Sequence, residues 1–285
     1  MNPTARCSLH ICDFTPHAFR AKLGVPERKL ACMRAALVCL ALLAFSAAPA
    51  RARDSAELAY AQGAFLEAAD IAEATGGGDA LALAARAALA EAITGHGGDI
   101  DALVARAEAD ARRALAAAPG SIDARMNLAL ALGLKGRRAS IGEAMRGGYA
   151  REGRLLLTQA VARAPDEAWA HALLGAWHLE VVRRGGAIGA AYYGANTGAG
   201  IAGFERARAL APDDAAIAYQ YAVALLELDP ERFSSKAAAL LVNAGGCATG
   251  DAFEARVKAQ AARVAAVLET QGAAAAVRVA TVRLS

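Results

Sequence analysis

The residues that could carry chemistry between positions 53 and 285 are few: His96, His171 and His178, Cys247, and the glycine-rich run GGAIGAAYYGANTGAG at 185–200. A helical zinc pair needs two histidines four residues apart with a carboxylate between or beside them. His171 and His178 are seven apart, in HALLGAWH, and the only acid near them is Glu180, so they read as packing residues. The glycine-rich run has neither the lysine and hydroxyl of a phosphate loop nor a strand before it, and so lacks the parts that cradle a nucleotide. No G-x-S-x-G, H-E-x-x-H or C-x-x-C occurs, and the carboxylates fall at helix starts and on polar helix faces. The expectation is a protein that is not an enzyme, with no cofactor and no metal.

The elements that would position any site are helices. The chain has 285 residues, 56% hydrophobic but only 5% aromatic, so alanine supplies most of its apolar character. Alanine is the best helix former, and runs such as AEADARRALAAA and AQAARVAAV offer no polar–apolar alternation. The fold class expected is all-α.

The segment 33–52 has the order of a secretory signal peptide: Met33-Arg34, an apolar stretch of about 16 residues, then Ala50-Arg51-Ala52 as a cleavage motif. An uncleaved anchor would need about 20 apolar residues, and this run is interrupted by Ser46 and Pro49. Residues 1–32 are polar and unpatterned, as expected of a leader from a start called too early, with Met33 as initiator. The domain expected is 53–285, exported to the periplasm. Removing 1–52 takes away seven basic and two acidic residues and leaves a net charge near −2, which removes the electrostatic case for binding nucleic acid. Four of five cysteines go too, leaving Cys247 as a small buried or loop residue and the fold without a disulfide.

A phrase recurs three times along the domain: RRALAAAPGSIDARMNLALALG, TQAVARAPDEAWAHALLGAWH and FERARALAPDDAAIAYQYAVALL. Each has an alanine five residues before the proline (Ala114, Ala160, Ala207), a turn at Pro119, Pro165 or Pro212, and a polar residue suited to capping the next helix. Small residues follow one turn further on, where helices can approach closely, as at Leu174-Gly175.

This pattern resembles the tetratricopeptide repeat family, and LAYAQGAFLEAADIAEA, with Gly63, Phe65 and Ala68, resembles an earlier copy. The prolines are 46 and 47 residues apart where the family's unit is 34, so extra residues sit in 135–154 and 181–200. Residues 120–245, through Leu174-Gly175-Ala176-Trp177, Tyr193-Gly194 and Phe204, are further similar to the divergent tetratricopeptide proteins known as regulators of microtubule dynamics and their bacterial relatives. The resemblance implies a right-handed α-solenoid of antiparallel helical hairpins; FEARVKAQAARVAAVLETQG, 253–272, reads as a C-terminal helix suited to capping its open end, and VRVATVRLS, which alternates weakly, as frayed. It also implies a concave groove lined by Asp123, Met126, Leu130, Trp169, Ala172, Ala176, Tyr219 and Val223, apolar enough to hold a partner's peptide or helix. The expected role is a scaffold or adaptor of the cell envelope binding another protein; the alternative is a small-ligand binding component of an envelope transport system, with the insertions closing a pocket.

Two further expectations concern the insertions. Lys135, Arg137, Arg138, Arg146, Arg151 and Arg154 outnumber Glu143 and Glu152, and read either as a solvated rim or as a docking patch for an acidic partner or the anionic headgroups of the inner membrane. Gly185 to Phe204 carries no charge, yet its Gly, Asn and Thr keep it far from a membrane span, so it reads as a bent insertion that is buried or touches a partner.

Overall fold

The computed structural model describes residues 51–95 and 97–282. The expected leader, and all of the expected signal peptide except residues 51 and 52, lie outside the described residues, as does the His96 side chain. The described residues hold no strand. They form α1 (51–61), α2 (Phe65–Thr75), α3 (Gly78–Thr94), α4 (Ile100–Ala117), α5 (Ile122–Arg138), α6 (Ile141–Arg146) and α7 (Tyr149–Arg163), followed by α8 (Ala168–Tyr193), α9 (Thr197–Leu210), α10 (Ala215–Leu228), α11 (Pro230–Gly246), α12 (Ala252–Gln271) and α13 (Ala273–Thr281). None of these helices is long and apolar enough to cross a membrane.

The three proline corners share one backbone hydrogen-bonding pattern and one conformation at the residue before the proline. The residue before each proline, where the ring disfavours helical geometry, is an alanine with φ −137 and ψ 80 at Ala118, φ −134 and ψ 76 at Ala164, and φ −134 and ψ 75 at Ala211. Its amide donates back to Ala114, Ala160 or Ala207, each fully buried. Its carbonyl accepts from the amide three residues on, at Ser121, Glu167 or Asp214, closing a β-turn with proline at the second position. Those same three residues then cap α5, α8 and α10 through their side chains.

Each helix packs on its neighbours in the chain, and α3, α5, α8, α10 and α12 also touch in succession, with α12 returning to α3. The α8–α9 contact is close enough to need glycine. A Cβ on Gly203 would lie 2.9 Å from the His171 carbonyl oxygen and 3.0 Å from the Gly175 Cα, and one on Gly175 would lie 2.7 Å from the Gly200 carbonyl oxygen. The return of α12 to the start is equally tight. Arg256 donates to the Gly63 carbonyl at 3.0 Å, its guanidinium lies 4.7 Å above the Phe65 ring, and Ala252 presses on Gly63, whose φ of +83 an L side chain rarely adopts. Phe253, on the same helix, packs against all three of the larger clusters of the core.

Three expectations are corrected. Helix α12 does not simply cap an open end: besides covering α10 and α11 it bridges to α3. Of the residues expected to fray, 277–281 belong to α13, because Ala276 and Ala280 bury against the rest of the C-terminal core, while 283–285 lie outside the described residues. The glycine-rich insertion continues α8 as far as Tyr193 and is bent at Gly186, φ 57 and ψ −157. That extension is exposed where burial was one expectation, with Ile188 86% and Tyr192 63% accessible.

Candidate functional site

The helices that touch in succession line a cavity of about 300 Å³ that opens to solvent on one side. Its wall is mainly aliphatic and aromatic: Leu130 and Leu134 from α5, Trp169, Ala176 and Trp177 from α8, Tyr219 and Val223 from α10, and Phe253 from α12. The two insertions contribute as well. Ile141 and Met145 of α6 and the part of α8 beyond Gly185 line the same cavity, and the exposure of Ile141 (56%) and Met145 (53%) marks where the lining meets solvent. Arg184 holds this side together by donating to the carbonyls of Gly136 and Ala139.

One ionic cluster stands in the apolar wall. Arg137 forms a two-pronged pair with Glu227, at 2.7 and 3.0 Å, and reaches Glu180 at 3.0 Å. Glu180 is also held by Arg183, at 2.7 and 2.9 Å. Burial alone would raise the Glu180 carboxyl, but Arg183 and Arg137 outweigh it and hold it below the usual range. The charges of the cluster satisfy one another.

The aromatic polar tips differ in how they are satisfied. Trp169 donates its indole N–H to the Asp214 carboxylate at 3.0 Å, so it links the start of α8 to the cap of α10. Trp177 donates to the Ala150 carbonyl at 2.8 Å. Tyr219 is 3% exposed, and its hydroxyl has no partner among the described residues.

Of the residues expected to line a groove, Leu130, Trp169, Ala172, Ala176, Tyr219 and Val223 do share one lining, that of the cavity. Asp123 and Met126 do not. Asp123 lies exposed in the first turn of α5, and Met126 is buried in a separate small cluster with Ala160 and Ala170. Most of the basic residues are engaged within the chain. Lys135 pairs with Glu108 at 2.8 Å, Arg138 with Asp101, and Arg137 with the cavity acids. Arg154 donates to the Tyr193 carbonyl and Arg151 to the Tyr192 hydroxyl, tying α7 to the extension of α8. Arg146 is exposed at the end of α6. They are spread over three helices and do not converge on one site.

The cavity acids were missed because each was read as an exposed helix-face charge. The available signal was Glu227, the lone charge in the apolar helix AAIAYQYAVALLEL. His178 is buried, accepts from the Asn196 amide, and is held below its ordinary range by burial and then by Arg154, which fits a neutral packing residue. Cys247 is buried and donates to the Asn243 carbonyl, and burial raises its thiol. Among the described residues no group of His, Cys, Asp and Glu is placed to hold a metal ion.

A second buried carboxyl lies outside the cavity. Asp110 of α4, 2% exposed, receives Arg113 at 2.8 Å on one oxygen. Burial, then the neighbouring Glu73 carboxylate, push it up to about 7, while Arg106 holds Glu73 below its ordinary range. The folded chain therefore keeps a proton on the pair that the unfolded carboxyl releases near ~3.9. Its stabilising contribution is complete below that value and is lost as pH rises through roughly 4 to 7. Asp110→Asn is expected to remove this slope, with urea midpoints that match wild type at about pH 4 and exceed it at about pH 8; equal midpoints at both would refute the assignment.

The chain matches no protein-family model, no curated protein and no solved structure.

Proposed function

We propose that the chain is a divergent tetratricopeptide-type repeat protein of the bacterial envelope, exported by its 33–52 segment, that binds a small, mainly apolar molecule between its inner helices. The cavity is the observation that carries this reading. It stands at the lower end of the range for ligand sites, ~300–1000 Å³, and combines apolar walls with a few placed polar groups, as such sites do. The repeat assignment is supported by the three matching corners at Pro119, Pro165 and Pro212. A partner peptide lying in an open groove is less well supported, because Phe253 and Gln260 of α12 line the same space that the groove residues line. A binding role without chemistry is favoured by the ionic cluster, whose acids Glu180 and Glu227 are committed to Arg137 and Arg183.

The chain's two tryptophans, Trp169 and Trp177, both line the cavity, so its occupancy can be read directly. N-phenylnaphthylamine, a neutral apolar fluorophore, is expected to bind saturably and accept energy from them. Ala176→Phe, which fills the space, is expected to weaken it by about tenfold or more. Unsaturable binding, or equal affinity in the filled variant, would turn the proposal back toward a protein partner.

A further inference from the structure

We infer that the cavity selects a neutral amphiphile, an apolar body carrying one hydrogen-bond acceptor such as an alcohol or ketone oxygen, with that oxygen docked on the Tyr219 hydroxyl. The inference rests on the cavity reading above and adds the chemistry of the occupant.

A buried hydroxyl normally finds a partner, as three other aromatic side chains of α8 and α10 do. Tyr221, two residues along the same helix, donates to Glu205 at 2.9 Å, and the indoles of Trp169 and Trp177 are both engaged. Of the three buried side-chain polar atoms without a partner among the described residues, on Asp110, Arg208 and Tyr219, the Tyr219 hydroxyl alone belongs to a residue of the cavity lining. Burial and then the negative charge of Glu227 push its phenol upward, so the proton stays on the oxygen and is available to donate. The complement of that donor is an acceptor on the ligand.

The neutrality of the ligand follows from the cluster beside it. A carboxylate taken into an apolar cavity needs a free cation, and an ammonium needs a free anion. Arg137 is paired with Glu227 and Glu180 and Arg183 with Glu180, while Arg184 directs donors onto two backbone carbonyls and its charge acts on Glu180. Glu227, which already acts on the Tyr219 phenol, would also repel an anionic head docked there.

The test is displacement of N-phenylnaphthylamine by octane, octanol and octanoate from the wild type and from Tyr219→Phe. The variant keeps the ring and removes only a hydroxyl with no partner, so it is expected to fold, and its melting temperature verifies this. The ratio of octanol to octane affinity is expected to fall about threefold to tenfold in Tyr219→Phe, which is the worth of one neutral hydrogen bond, while octane itself binds the two proteins alike. An unchanged ratio would mean that the hydroxyl holds at most a water molecule, and the subsite would be abandoned. Octanoate binding more tightly than octanol at neutral pH would overturn the neutrality. A probe that fails to bind wild type at all would remove the cavity reading itself, an outcome distinct from either.

Discussion

Phe204→Ala is expected to remove about 3–5 kcal/mol of folding free energy, a large part of the 5–15 kcal/mol that holds a typical domain together. Phe204 is 1% exposed on α9 and lies stacked on Tyr221 of α10, with ring centroids 4.7 Å apart and planes 8° from parallel. It also covers Gly175, where a Cβ would come within 3.1 Å of it. Truncation therefore empties a space bounded by three helices, two of which, α8 and α9, already meet backbone to backbone through glycines, leaving little room to collapse into the void. Phe204→Leu, which keeps most of the volume, is expected to cost under about 1.5 kcal/mol. Urea unfolding of both variants checks this; near-equal midpoints for alanine and leucine would show that the ring is not a keystone between α8, α9 and α10.

Arg137→Ala is expected to cost about 3–5 kcal/mol, for a different reason. Its partner Glu227 has a side chain only 8% exposed, and Arg137 itself is 21% exposed, so this is a pair largely out of water. Removing the guanidinium leaves Glu227 and Glu180 as two carboxylates without their shared cation. The loss comes mainly from the stranded charges, so adding Glu227→Gln to Arg137→Ala is expected to restore more than half of it, and Arg137→Lys to restore less than that, since an ammonium cannot make the two-pronged contact. A double variant no more stable than the single one would show that Arg137 acts through packing alone. A merely solvated rim arginine would give changes within about 0.5 kcal/mol.

The two variants touch the parts of the molecule that were, respectively, most and least legible in the sequence. The corner at Pro165 and the glycine at 175 are local signals: a proline ends one helix, an acid starts the next, and a missing side chain allows contact two turns later. Their consequences are local, and the structure shows the corner at all three prolines and the close helix contact at Gly175. Arg137 could be seen only as one of six basic residues in an insertion, because its partners Glu180 and Glu227 lie 43 and 90 positions away. The groove residues fared in between. The inward positions implied by the repeat resemblance include Leu130, Trp169, Ala172, Ala176, Tyr219 and Val223, which line the cavity together, whereas Asp123 and Met126 lie too near the start of α5 to reach it. The C-terminal VRVAT segment misled because β-branched residues lower helix propensity only slightly, and burial of the alanines between them outweighs that preference.

The meeting of Arg256 with Gly63 spans 193 positions of the chain. In an ordinary stack of repeats the terminal units are the loosest, since each has a neighbour on one side only, and fraying starts there. Here the first and last segments lend each other the missing neighbour. Loss of either should be felt at the opposite terminus, and amide protection should fall together across the whole domain rather than decay toward its two extremities.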